Sequence, residues 1–278
     1  MPKSGASDAL PSGVGHRPIG RALESYAIQA LAVAAAEVQK IRHDPVELLP
    51  RAVQPVLWLV LFGAVMAGVR GISPGNMPYL DFLAAGILAQ SALSVGILYG
   101  MSAIWEHDFG VLQRYLVSPA PRSALVIGKA LSAAARGLAQ ACIVYVLALM
   151  LGVGIALDPL NVLGVAAAIV LGTALFSTLS LIIACTVRTR ERFMGIAQMM
   201  IMPIFFASNA IYPVSLMPAW LRTVSRTNPL TYEVDALRTL MLANATSDYG
   251  LWLDFGALSA VTVVLTCIAA RVYGRLGY

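Results

Sequence analysis

Six long apolar stretches, separated by short polar loops, make up most of the 278-residue chain. Each is close to, or longer than, the roughly 18–20 residues that an α-helix needs to cross about 30 Å of hydrocarbon. The apolarity is continuous and lacks the alternation typical of membrane β-strands, which are about ten residues long. The pattern therefore predicts an all-α integral membrane protein with six transmembrane helices, over residues 52–69, 82–104, 124–151, 162–187, 193–212 and 249–270.

The segment before the first span has a different pattern. Residues 1–20 are rich in Gly, Ser and Pro and predict a disordered tail. From residue 21 to 42, apolar side chains such as Leu23, Leu31 and Val38 recur at helical spacing, which predicts an amphipathic helix along the membrane interface. Such a helix is either a passive anchor or a lever that contacts a cytosolic partner.

A second amphipathic region precedes the last span. Residues 211–221 combine Pro, Trp and Tyr with apolar residues, which predicts a short element that dips into the interface. After Asn228 and Pro229, a helix from Tyr232 to Leu242 is predicted, with an apolar side and a polar side. The apolar side has Leu237, Leu240 and Met241, and the polar side has Glu233, Asp235 and Arg238. Together these elements predict a helical hairpin that caps the outer mouth of the bundle.

The positions of the charges orient the predicted spans. The chain has 19 Lys and Arg residues, and the predicted outer side holds only Arg70, Arg222, Arg226 and Arg238. Because basic residues near span ends stay in the cytoplasm, both termini are predicted to be cytoplasmic. The net charge of +5 therefore reflects loop orientation and does not indicate a nucleic-acid partner. A composition of 59% hydrophobic and 12% charged residues agrees with a membrane protein.

The residues that could carry chemistry do not form a recognisable active site. Glu106, His107 and Asp108 are adjacent in sequence, so their side chains cannot converge on one face of a helix or strand. His16 and His43 also lie outside the predicted spans, which argues against a membrane-embedded enzyme. We therefore predict no catalytic residue and no metal site.

Nucleotide binding by this chain is not expected either. A Gly-rich phosphate-binding loop ends in Gly-Lys-Ser or Gly-Lys-Thr, whereas Gly128 and Lys129 are followed by Ala130 and lack the upstream Gly. The sequence therefore predicts no cofactor on this chain. Active transport would take its energy from another subunit.

The polar residues at membrane depth are mostly neutral, as at Gln54, Gln90, Ser94 and Gln198. They either hydrogen-bond between helices or line a route for an amphipathic solute. Arg136 is predicted to snorkel to the cytoplasmic surface. Pro203 predicts a kink in the fifth span. The flexible apolar side chains around it would serve either helix packing or contact with a lipophilic substrate.

Four segments resemble the membrane subunits of type-2 ABC exporters, in particular the bacterial branch that exports drugs and lipid-linked saccharides. They are HDPVELLPRAVQPVLWLVLFG at 43–63, WEHDFGVLQRYLVSPAPRSALVIGKA at 105–130, IYPVSLMPAWL at 211–221 and NPLTYEVDALR at 228–238. None is a catalytic signature, and their order among six spans carries the resemblance. It covers residues 21–278 as one transmembrane domain.

The resemblance implies an alternating-access exporter in the bacterial cytoplasmic membrane. Two permease chains, identical or different, would pair within the lipid, and two cytosolic ABC ATPase subunits would bind ATP and Mg²⁺. Residues 21–41 would be the connecting helix and 109–118 the coupling helix that contacts the ATPase. The residues implied in coupling are Glu106, Phe109, Gly110, Val111, Leu112, Arg114, Tyr115 and Pro119.

The resemblance also implies that the first, second and fifth spans border the substrate pathway. The residues expected along it are Gln54, Trp58, Gln90, Ser94, Gln198, Met202, Phe206 and Asn209. The substrate would be a lipophilic drug or lipid-like molecule. A lipid-linked saccharide or polysaccharide is the alternative, and a scaffold or assembly protein that transports nothing is an alternative of another class.

Overall fold

The structure, a computed structural model, describes residues 48–66, 77–108, 122–187, 189–243 and 245–273. These residues are almost entirely helical. In chain order they form α1 (Leu48–Leu57), a π-helical turn (Trp58–Phe62), α2 (Gly63–Met66), α3 (Tyr79–Tyr99), α4 (Met101–Asp108), α5 (Arg122–Met150), α6 (Pro159–Val187), α7 (Arg190–Phe206), a 3-10 turn (Val214–Leu216), α8 (Ala219–Thr227), α9 (Pro229–Met241) and α10 (Leu251–Tyr273). The predicted tail 1–20 and interface helix 21–42 lie outside the described residues.

Four of the predicted spans are helices long and apolar enough to cross a membrane. They are Tyr79–Trp105, Val126–Met150, Pro159–Val187 and Leu251–Val272. They correspond to the second, third, fourth and sixth predicted spans, and they confirm a multi-pass, all-α membrane protein. Six spans and cytoplasmic termini stay predictions.

The first predicted span is helical but interrupted. Its apolar part, Val53–Phe62, is shorter than a span, and the π-helical turn follows directly after Pro55 and Leu57. A proline inside a helix removes one backbone hydrogen bond and clashes with the preceding turn. The described part of this helix ends at Met66.

The fifth predicted span ends at Phe206, six residues before the predicted boundary at Tyr212. The Ser208 hydroxyl and the Ser208 backbone N–H both donate to the carbonyl of Phe205, at 2.7 and 3.2 Å. A serine side chain that bonds to nearby backbone competes with helix continuation. At 17 residues, α7 lies at the lower end of the lengths found for transmembrane helices.

Small residues bring the central helices close together. An added Cβ at Gly96 of α3 would lie 2.8 Å from the Phe176 Cβ and 2.9 Å from the Thr173 carbonyl on α6. One turn further along, the Ser180 hydroxyl donates to the carbonyl of Ile97. Small residues that let helix backbones approach are typical of helix packing in membranes. The buried core therefore lies where α3, α5 and α6 meet.

Two helices, α8 and α9, precede the last span as the predicted hairpin requires, and they meet at Asn228. The Asn228 side chain accepts a hydrogen bond from the backbone N–H of Leu230 at 3.0 Å, and Pro229 occupies the first turn of α9. Both features are typical of a helix start.

The predicted polar side of the second hairpin helix is wrong. Glu233, Asp235 and Arg238 are as buried as the apolar residues of α9, with exposed fractions of 0%, 1% and 6%. The reason is that α9 packs against α3, α6 and α10 rather than capping them from outside. Only α8 keeps an outward face, where Trp220 is 69% exposed.

Candidate functional site

The predicted coupling segment lies almost wholly outside the described residues. Glu106 falls within α4, which ends at Asp108, and the other predicted coupling residues, from Phe109 to Pro119, follow it. Their role stays a prediction.

Three predicted pathway residues meet in one cavity. Gln54 of α1 and Gln90 and Ser94 of α3 line a space of about 200 Å³ between α1, α3 and α5. Gln90 is 1% exposed, and its side-chain Nε2 has no hydrogen-bond partner. This central cavity gives polar side chains a shared space at membrane depth.

Arg136 also lines the central cavity, and its snorkelling to the cytoplasmic surface stays a prediction. It lies 14 residues from each end of α5, about 21 Å from Arg122 and from Met150. Its guanidinium carbon is 5.3 Å from the centre of the Tyr99 ring, and Gln140 lines the same wall. Arg136 is thus a cationic group beside the neutral amides. The available sequence signal was a basic residue inside the third apolar run. The sequence does not show which side chains surround it, because that depends on how the helices pack.

Two other predicted pathway residues form a separate aromatic cluster. Trp58 stacks on Phe62, with ring centres 4.4 Å apart, and meets Phe205 and Phe206 edge-on at 5.7 and 6.3 Å. Aromatic pairs at these distances stabilise helix contacts beyond the area they bury. The cluster joins the π-helical turn to the end of α7, and neither Trp58 nor Phe206 is among the residues that line the central cavity.

The remaining predicted pathway residues belong to neither group. Gln198 is exposed and Met202 is half-buried on α7, and neither lines the central cavity. Asn209 is fully buried, and its backbone carbonyl accepts a hydrogen bond from Arg238 Nη2 at 2.8 Å. The predicted pathway set is therefore divided among the cavity, the aromatic cluster and the α7 region.

A larger polar cleft opens near the N-terminal end of α3 and was not predicted. It has a volume of about 900 Å³. Its charged lining residues are Asp81, Arg226, Asp235, Arg238 and Asp248. By the predicted orientation of the spans it faces outward, and we call it the outer cleft.

Asp235 organises one wall of the outer cleft. Its carboxylate accepts hydrogen bonds from the Ser247 hydroxyl at 2.7 Å and from the backbone N–H groups of Asp248 and Tyr249 at 3.2 Å each. Burial and the nearby Asp235 carboxylate raise the pKa of Asp248. Asp235 thus fixes the loop that leads into α10.

Arg238 joins α9 to α3 and to the segment after α7. Besides its hydrogen bond to Asn209, its guanidinium carbon lies 3.8 Å from the centre of the Phe82 ring at the start of α3. A cation over an aromatic face is stabilised electrostatically, more so when both groups are desolvated. This contact ties α9 to the start of α3 and to the segment after α7.

Glu233 is the third charged residue of α9 that is buried against the prediction. Neither carboxylate oxygen has a hydrogen-bond partner among the described residues, and the group occupies the space left by the missing side chain of Gly172 on α6. The available signal was helical spacing, because Glu233 shares the face of Leu230 and Leu237.

Comparisons with known proteins agree with this architecture. The sequence pattern of the ABC-2 type transporter family matches residues 28–242. The chain is 30% identical over 208 residues to ycf38 of Cyanophora paradoxa, a protein named as a transport permease, covering 72% of this chain and 70% of that protein.

Two bacterial relatives extend the comparison. The daunorubicin resistance ABC transporter permease protein DrrB1 of Streptomyces coeruleorubidus is 24% identical over 235 residues, covering 84% of this chain and 81% of the relative. Nodulation protein J of Rhizobium leguminosarum bv. trifolii is 28% identical over 203 residues, with coverages of 72% and 76%. The chain therefore belongs to the ABC-2 type transporter family, as a multi-pass permease subunit of the kind that works with ABC ATPase subunits.

Proposed function

We propose that the chain is the permease subunit of an exporter that moves a lipophilic drug or lipid-like substrate out of the cell by alternating access. The observation that carries this proposal is the central cavity, where Gln54, Gln90 and Ser94 offer polar groups at membrane depth. A permease that moves an amphipathic molecule needs such groups within otherwise apolar helices.

The energy would come from a separate ABC ATPase that binds ATP and Mg²⁺. A short helix fixed to a moving ATPase can transmit its displacement to the spans on either side. The segment 109–118 lies in the chain between α4 and α5, and both α3 and α5 line the central cavity. ATP-driven movement of this segment would therefore reach the cavity through α5 on one side and through α4 and α3 on the other.

The relatives favour the drug or lipid class of substrate. DrrB1 is named for resistance to daunorubicin, a drug, and it aligns with most of this chain. A second permease copy, identical or different, would complete the pathway on the exposed side of α1 and α7. The proposed setting is the bacterial cytoplasmic membrane.

The test is ATP-dependent transport in inside-out proteoliposomes that contain the chain and its ATPase. We expect accumulation of at least one lipophilic drug, lipid or lipid-linked saccharide when ATP is present. Arg114→Glu or Gly110→Pro should abolish both transport and stimulation of the ATPase, because each changes the proposed coupling helix.

A charge reversal elsewhere provides the control. Arg271 is exposed in the last turn of α10, and Arg271→Glu should leave transport unchanged. Unchanged transport by both coupling variants would contradict the coupling role. A well-folded complex that moves no member of the panel would favour the scaffold alternative.

A further inference from the structure

The central cavity has the donor chemistry of an anion site. Its lining includes the side-chain amides of Gln54, Gln90 and Gln140 and the guanidinium of Arg136. Among the described residues that line it, none is an acid. A guanidinium donates in a planar fork that matches the oxygens of phosphates and carboxylates, and each glutamine amide supplies two further donors.

Gln90 provides a second, independent indication of a ligand. Its side chain is almost completely buried, yet its Nε2 donates to nothing in the described part of the protein. A buried donor without a partner is costly, so native proteins rarely leave one without a function. An oxyanion in the cavity would accept a hydrogen bond from this donor.

The surroundings of the cavity favour an amphiphile over a small soluble anion. Pro55, Val95 and Leu98 form its apolar wall, and Leu98 is 40% exposed on the outside of the bundle. On α1, Val53 and Leu57 continue this apolar surface with exposed fractions of 53% and 50%. An alkyl chain could lie along this surface while its headgroup occupies the polar interior.

The depth of the site agrees with such a ligand. Arg136 lies midway along α5, and its guanidinium carbon lies 5.3 Å from the centre of the Tyr99 ring on α3. The charge therefore lies within the bundle, where an anionic headgroup in the cavity would meet it beside the neutral amides.

We propose that the central cavity binds the oxyanion headgroup, a phosphate or carboxylate, of an amphiphilic substrate, with Arg136 and Gln90 as its donors. This inference rests on the proposed function, because it names the substrate class of the same pathway. It distinguishes an anionic amphiphile from the cationic or neutral drugs that are equally compatible with a permease.

The test uses the complex of this chain with its ATPase in phosphatidylcholine nanodiscs. Binding of radiolabelled tetradecyl phosphate would be compared with that of tetradecyltrimethylammonium, which has the same chain and the opposite charge. We expect tetradecyl phosphate to bind at least about tenfold more tightly, the effect of one charge-assisted hydrogen bond. Competition by tetradecanoate, but not by inorganic phosphate, would show that an amphiphile and not a free anion is recognised.

Substitutions in the central cavity test whether its side chains cause the preference for tetradecyl phosphate. Arg136→Gln should weaken binding of tetradecyl phosphate about tenfold and leave the cation unaffected, while Arg136→Lys should retain part of the preference. Gln90→Leu, which removes the orphaned donor at nearly constant volume, should also weaken binding of the phosphate. Arg271→Gln makes the same change at an exposed site on α10 and should have no effect.

The outcomes separate the two proposals. Equal binding of both amphiphiles, or unchanged binding in both Arg136→Gln and Gln90→Leu, would overturn the anion site while leaving a permease for other substrates intact. Binding that depends on Arg136, without ATP-driven transport of any amphiphile, would support the site and contradict the exporter.

Discussion

Glu233 and Gly172 are the clearest case in which single residues determine how two helices of this chain pack. Gly172 on α6 leaves the space that the Glu233 carboxyl of α9 fills, and an added Cβ there would overlap that carboxyl. A carboxyl in such a space, with neither oxygen hydrogen-bonded in the described region, is favoured in its neutral form. The fit of the Glu233 carboxyl into the space at Gly172 therefore determines where α9 packs against α6.

We predict that Gly172→Ala lowers the free energy of unfolding by about 1–3 kcal/mol, because the new methyl group overpacks a filled site. The measurement is the midpoint of thermal unfolding in detergent. Adding Glu233→Ala to Gly172→Ala should recover most of the loss, since it removes the clashing group.

Gly256 offers a matched control for this substitution. It lies within α10, and an added Cβ would have no atom within 4 Å. Gly256→Ala should be neutral or slightly stabilising, because alanine favours a helix by about 1 kcal/mol over glycine. Equal destabilisation by the two alanine variants would contradict the packing of Glu233 on Gly172.

The sequence indicates residue types better than it indicates residue neighbours. Gln54, Gln90 and Ser94 stand out because polar side chains in apolar runs are rare, and they do share a cavity. Glu233 is buried although a polar face is predicted for it, because the side that a residue faces depends on which helices pack around it. Glu233 lies three residues after Leu230 and four before Leu237, so helical spacing is also compatible with the buried face.

At the scale of elements, side chains from neighbouring helices hold the last turn of α7 and the segment that follows it. The carbonyl of Ile204 accepts from Asn228 Nδ2 at 2.7 Å, and the carbonyl of Ile211 accepts from the Tyr79 hydroxyl at 3.1 Å. Backbone groups at membrane depth must find partners inside the protein because lipid offers none. The hairpin and α3 thus allow α7 to end within the bundle.

We predict that Asn228→Ala destabilises the protein by about 1–3 kcal/mol, since it removes both the cap of α9 and the partner of the Ile204 carbonyl. The neighbouring Thr227 is exposed and bonds only within its own turn, to Val224. Thr227→Ala should therefore change the midpoint of thermal unfolding little. A similar effect of the two variants would show that Asn228 does not join the hairpin to α7.

The sequence predicted the existence of most elements but not all of their ends. Four apolar runs became spanning helices because each is long and uninterrupted. The helix of the fifth run ends early at Phe206, just before Ser208, whose side chain competes for the Phe205 carbonyl, and the helix of the first run is interrupted after Pro55. Local hydrogen bonding of this kind has no signature in hydropathy, which averages over many residues.

At the scale of the whole molecule, two polar spaces lie at different positions along α3. The central cavity is lined by residues of α3 from Gln90 to Tyr99, and the outer cleft by Asp81 and Phe82 at its start. Between them, every residue of α3 from Leu83 to Ala89 is buried. The proposed alternating access would require this packed region to open, and Arg238, which contacts Phe82, lies at its outer end.

The most direct test of the permease assignment is the ATPase rate of this chain copurified with its candidate cytosolic ATPase in lipid nanodiscs. We predict a stable complex whose turnover rises with one class of lipophilic drug or lipid and falls to its basal value in Arg114→Glu. A well-folded chain that copurifies with no ATPase, or a complex whose turnover responds to no substrate class, would contradict an ATP-driven exporter.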